Sequence, residues 1–111
     1  PLRSIVGCHC RQCRQLSGHF VAATAVDRTQ LSFLCQDGLA WYDSSPGAQR
    51  GFCRHCGANL FFSGHGLAHI SVHAGSLEGD LGVKLDRHIY TAEKGDYYHL
   101  HKDLPHFPGP D

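Results

Sequence analysis

Five of the six cysteines in this chain stand in two tight clusters. The first is Gly7-Cys8-His9-Cys10-Arg11-Gln12-Cys13-Arg14, a C-x-C-x-x-C. The second is Phe52-Cys53-Arg54-His55-Cys56-Gly57, a C-x-x-C followed by glycine. Zinc takes soft thiolate ligands in a tetrahedral array. A C-x-x-C turn sets two sulfurs on one side of a short loop, and Gly57 tolerates the positive φ that such a turn needs. Disulfide scaffolds scatter their cysteines and need an oxidising compartment. A redox dithiol wants a βαβ unit around it, and no helical crossover is legible here. Five idle clustered thiols would invite oxidation. The clusters therefore read as Zn²⁺ ligands: Cys8, Cys10, Cys13, Cys53 and Cys56. Cys35 stands alone and takes no role.

Two ways of sharing the ligands are open. Cys10, Cys13, Cys53 and Cys56 can form one four-sulfur site, leaving Cys8 over. Alternatively, Cys8, Cys10 and Cys13 supply three ligands and leave a fourth position free, the mark of a working zinc. Cys53 and Cys56 then need two further ligands, so one or two zinc ions per chain are expected. Three thiolates on a divalent ion give a net charge of about −1. Such a site favours activating a sulfur over polarising a carbonyl, so thiol chemistry fits it better than hydrolysis.

Arg11, Arg14, Arg50 and Arg54 flank the cysteines, where they can offset site charge or hold a carboxylate. Arg14, next to Cys13, is the residue expected to bind substrate. His9 and His55 sit between cysteines, with side chains expected to point away from the metal. His19 follows Gly18 and is placed to approach the free position. No Ser-His-Asp order or carboxylate pair asks for hydrolytic chemistry, and no glycine-rich loop suggests a nucleotide.

The elements that must position these residues read as short strands. Phe20–Val26 is apolar and β-branched, Asn59–Phe62 follows the second cluster, and Ile70–Ala74 alternates apolar with polar residues. His88–Thr91 is a later strand. Phe33–Leu34 and Leu39–Tyr42, on either side of Asp37-Gly38, read as a hairpin. Ser44-Ser45-Pro46-Gly47 reads as a turn. Arg11–Leu16 has room for one or two helical turns, and Asp103–Asp111, with three prolines, reads as irregular. The chain of 111 residues is thus expected to be one mostly β domain with cysteine-bearing loops. Lys+Arg and Asp+Glu both total 10, a balance that argues against nucleic acid or an anionic membrane as partner. No apolar run reaches a membrane span and no secretion signal is visible, so the expected compartment is the cytoplasm. The sequence holds no Met, and the expectation is that an N-terminal segment precedes Pro1.

Together, Gly-Cys-His-Cys-x-x-Cys-Arg-x-x-Ser-Gly at 7–18 and Arg-Gly-Phe-Cys-x-x-Cys-Gly-Ala-Asn-Leu at 50–60 resemble the glutathione-dependent formaldehyde-activating enzyme family, which includes centromere protein V. Ala74-Gly75-Ser76-Leu77 and His88-Ile89 extend the likeness loosely, over roughly residues 5–107. The resemblance implies an Mss4-like β fold and two zinc ions. It implies that Cys8, Cys10 and Cys13 hold the zinc beside which a thiol binds. It also implies that Cys53 and Cys56 join an upstream C-x-C, absent from these residues, in a structural four-sulfur site. The implied activity is a carbon–sulfur lyase reaction, joining formaldehyde to glutathione to give S-(hydroxymethyl)glutathione. The alternative is a zinc-stabilised module that carries a thiol, or binds a protein, without turnover.

Overall fold

A computed structural model describes residues 1–111. Seven strands form one sheet: β1 (Ile5–Cys8), β2 (Val21–Asp27), β3 (Leu39–Ser45), β4 (Ala48–Cys53), β5 (Asn59–Gly64), β6 (His69–His73) and β7 (Leu85–Ile89). A single α-helix, α1 (Arg11–Ser17), follows β1. The sheet order is β3-β4-β5-β6-β2-β1-β7. Every pairing is antiparallel except that of β1 with β7. The expected mostly β class is what the chain forms.

Successive side chains of a strand point to opposite faces, and that alternation sorts the chemistry. Val6 and Cys8 of β1, Val21 and Ala23 of β2, and Ser71 and His73 of β6 line one cleft. Arg87 and Ile89 of β7 and Ser45 at the end of β3 line it too. Because both ends of the sheet reach the same space, the sheet is curved around it. Gly7 and His9 fall on the opposite side. There Gly7 lies against His88, where a Cβ would come within 2.7 Å of His88 Nδ1 and 3.2 Å of Phe20. Only glycine lets β1 run that close to the ring.

The apolar core is small: Ile5, Val6, Cys13, Val21, Ala25, Ala48, Ile70 and Val72 are the buried hydrophobic residues. Behind the sheet, His9 and Phe20 meet at 4.6 Å between ring centroids, and His9 and Tyr98 at 5.6 Å.

Two expected strands and one expected hairpin differ from what forms. Phe33–Leu34 is a loop, with Leu34 fully exposed. Asp37-Gly38 is a turn but closes no hairpin, because β3 pairs with β4 instead. Its role is to seat the second cysteine loop: Arg54 N donates to Gly38 O at 2.7 Å, and Arg54 Nε to Asp37 O at 2.9 Å. The strand expected at His88–Thr91 lies at Leu85–Ile89 and ends at Tyr90, whose φ of 55° breaks the extension. The Pro46-Gly47 turn does connect β3 to β4. β1 and β4 lie outside the expected strands. Helix α1 covers the expected Arg11–Leu16 and ends at Gly18.

Candidate metal and thiol site

β1 delivers Cys8 to the cleft at the last position of the strand. His9 takes the opposite face, and Cys10 returns to the cleft as the N-cap of α1. The Cys10 sulfur accepts a hydrogen bond from Cys13 N at 3.3 Å, so the capping residue is itself a candidate ligand. Cys13, one turn into the helix, is buried. A strand end followed at once by a helix start thus brings three sulfurs together: all lie within 4.8 Å of one another. Three zinc-bound thiolates in tetrahedral geometry are about 3.8 Å apart, given Zn–S of about 2.3 Å. The donor set and its spacing fit zinc with little movement.

Three packed sulfurs do not ionise alike. Hydrogen bonds from Cys13, then Cys8, pull the Cys10 thiol well below its usual range. The same sharing with Cys10, then Cys13, pushes Cys8 up, and Cys10 is the main cause that raises Cys13. Neighbouring sulfurs oppose one another's ionisation, and a bound cation would relieve that opposition.

Cys53 and Cys56 are elsewhere. They sit on the β4–β5 connection, where Gly57 N closes on Cys53 O at 2.6 Å and Gly57 adopts φ 80°. No third His, Cys, Asp or Glu ligand gathers with them. The single site of Cys10, Cys13, Cys53 and Cys56 is therefore not formed, because the two loops hold their sulfurs apart. The group that does come together is Cys8, Cys10 and Cys13. All six cysteines are free thiols.

The cleft beside the triad has a volume of about 430 Å³. Its floor is the sheet, and Cys8, Cys10, Gln12 and Cys13 form one wall. Arg50, Phe62 and His73, from β4, β5 and β6, line it as well. Arg50 is 9% exposed. Its Nη1 lies 3.6 Å from Cys13 Sγ, its Nη2 donates to Gln12 Oε1 at 3.3 Å, and its guanidinium stacks 5.1 Å over the Phe62 ring. Burial, then the Arg50 charge, lowers the pKa of His73, so this imidazole is neutral near pH 7.

Arg14, expected at the substrate, is turned away. Its Nε donates to Glu93 O at 2.9 Å, and it does not line the cleft. Arg11 presents its backbone N to Glu93 Oε1 at 2.9 Å. His19 also faces away from the free position: its Nδ1 is paired with the Tyr97 hydroxyl at 2.6 Å. His9 is fully buried and is no ligand, since both of its ring nitrogens are taken. Nδ1 pairs with the Tyr98 hydroxyl, and Nε2 with His88 Nδ1 at 2.8 Å. Burial, then the neighbouring His88, holds its pKa down to about 4.

The model of the glutathione-dependent formaldehyde-activating enzyme family matches residues 1–93. An uncharacterized lyase of Schizosaccharomyces pombe is 29% identical over 93 residues, which are 82% of this chain and 66% of that relative. The chain thus spans slightly less than two thirds of the relative's length.

Proposed function

The chain belongs to the glutathione-dependent formaldehyde-activating enzyme family, and from that premise we propose that it is a zinc-dependent carbon–sulfur lyase acting on a small thiol. The best-supported reaction joins formaldehyde to glutathione to give S-(hydroxymethyl)glutathione. The observation that carries this reading is the triad of Cys8, Cys10 and Cys13, three sulfurs within 4.8 Å on the wall of a cleft of about 430 Å³. Cys8, Cys10 and Cys13 would hold a zinc ion with three ligands, leaving a fourth for a substrate sulfur.

A zinc ion in the triad would depress the pKa of a thiol at that fourth position, so that its sulfur is ionised at neutral pH. The chain's residues do the rest. Phe62 and the aliphatic lining of β1 and β2 exclude water around the reacting sulfur. The ionised sulfur adds to the aldehyde carbon. As the C–S bond forms, the C=O π pair moves to oxygen, which takes a proton, and nothing is oxidised or reduced. Neutral His73 is held on the same cleft, where it can relay protons between the entering thiol and the product oxygen.

Cys53 and Cys56 would supply half of a second zinc site, with ligands from outside these residues completing it. Free thiols of this number suit a reducing compartment such as the cytoplasm. No helix is long and apolar enough to cross a membrane.

Metal analysis and titration calorimetry with glutathione test the reading. The zinc-loaded protein is expected to bind glutathione, and Cys10→Ser to lose that binding. Unchanged binding in the variant would remove the triad from the function. Turnover of formaldehyde above the uncatalysed background then separates an enzyme from a thiol carrier.

A further inference from the structure

Arg50 has no carboxylate near it. The ion pairs in the molecule are Arg87 with Asp86 and Asp111, and His101 with Asp103. A buried guanidinium without an anion is costly, yet this one is held firmly. Gln12 Oε1 accepts from Nη2 at 3.3 Å, and the Phe62 ring supports the guanidinium plane. Gln12 is fixed in turn, its Nε2 donating to Ser44 O at 2.7 Å. So placed, Nη1 is aimed at Cys13 Sγ at 3.6 Å. Arg50 Nε is the buried side-chain nitrogen left without any partner. Other arginines of the cleft are occupied: Arg3 bonds Ser4 O and Ala23 O, and Arg87 is tied to its two aspartates.

We infer that Arg50 is a specificity-determining residue that makes the fourth position of the triad prefer an anionic sulfur ligand. This rests on the thiol-binding reading above and deepens it. A divalent ion with three thiolates carries about −1, which by itself repels a second anion such as an entering thiolate. The positive charge of Arg50, 3.6 Å from one of the three sulfurs, brings the assembly to zero. A thiolate then enters a neutral site, with the guanidinium 3.6 Å from a neighbouring sulfur to offset the added charge. A neutral ligand of the same ion gains nothing from that compensation. Arg50 therefore selects by charge, and it does so from a strand remote in sequence from the ligand loop.

The test uses the cobalt-substituted protein, whose sulfur-to-cobalt absorption reports ligand binding without any turnover. Wild type, Arg50→Gln and Arg50→Lys are each titrated with 2-mercaptoethanol, a thiol that carries no carboxylate, and with imidazole, a neutral ligand. Loss of one charge-assisted hydrogen bond weakens binding roughly ten- to a hundredfold. Thiol affinity in Arg50→Gln is expected to fall by that amount, with imidazole affinity unchanged. Arg50→Lys, which keeps the charge, is expected to recover most of the thiol affinity. Equal losses for the two ligands, or no loss for the thiol, would overturn the inference and leave thiol binding itself standing. A wild type that binds imidazole but shows no response to thiol would overturn both. If Arg50→Gln loads no cobalt, Arg50→Lys decides: a thiol-to-imidazole preference like that of wild type supports the charge role, and a lost preference overturns it.

Discussion

Cys10 ends one element and begins another, and its sulfur serves both. As the cap of α1 it takes the Cys13 N–H, and as the middle member of the triad it stands within 4.8 Å of both other sulfurs. Cys10→Ser puts a capping hydroxyl oxygen in place of the sulfur, so the helix survives while a zinc ion in the triad would lose a soft ligand. Zinc affinity is expected to fall by more than tenfold with little change in helical signal, measured by competition with a chromophoric chelator. His9 supports the loop from behind. Removing its side chain leaves the Tyr98 hydroxyl and His88 Nδ1 unmatched and opens a buried gap, so His9→Ala is expected to cost about 2–5 kcal/mol in chemical denaturation. His9 also dictates a pH response. Its folded pKa of about 4 lies below the ordinary 6.5, so between those values the unfolded chain binds a proton that the native ring refuses. Stability is therefore lost as pH falls through that window. His9→Gln, which has no proton to take up there, should show a flatter denaturation midpoint from pH 6.5 to pH 4 than wild type. The triad is legible in the sequence because three candidate ligands within six residues are set by local geometry alone. Arg14 and Arg50 show the limit: adjacency to Cys13 favoured Arg14, whereas the guanidinium at the sulfur comes from β4.

At the scale of elements, the strand-to-helix junction at Cys8–Cys10 is only as firm as the strands beside it. β1 is paired with β2 on one side and with β7 on the other. β7 would be an open edge, but the C-terminal tail covers it. His88 N donates to Pro105 O at 3.0 Å, Tyr90 N to Gly109 O at 2.9 Å, Thr91 N to Phe107 O at 3.0 Å and Phe107 N to His88 O at 2.9 Å. Truncation after Lys102 removes these and the bond from Ala92 N to Pro108 O at 3.3 Å, each contributing about 0.5–1.5 kcal/mol, some of it recovered by water. A loss of about 2–6 kcal/mol is expected, with faster amide exchange in β7 and β1 than in β4 and β5. The irregular tail was readable from its prolines, but its seat on an edge strand was not, since register is a property of two segments. β4 is hidden for a related reason. Its Gln49, Arg50 and Gly51 carry no apolar alternation, because a buried inward residue is an arginine. Phe33–Leu34 shows the converse, two apolar residues with no strand to join.

At the scale of the molecule, the curved sheet separates two kinds of chemistry. Sulfur and arginine line the cleft, and the His9–His88–Tyr98 chain fills the other side. Only 16 of 111 residues are buried, a thin core that ligand binding should reinforce. Zinc bound to the native triad adds its binding free energy to folding. A metal chelator is therefore expected to lower the melting temperature, and restored zinc to raise it in proportion to the logarithm of free zinc. The sequence could name the mostly β class and the ligand loop. It could not show the cleft, whose walls come from every strand in the sheet.

The central proposal is that a substrate sulfur enters beside Cys8, Cys10 and Cys13. The most direct measurement is selenium-edge X-ray absorption on the zinc-loaded protein with the selenol analogue of glutathione, because that edge sees only the ligand. The predicted result is a zinc neighbour at bonding distance from selenium, absent in Cys10→Ser. A selenium atom with no metal neighbour in the wild-type protein would contradict it.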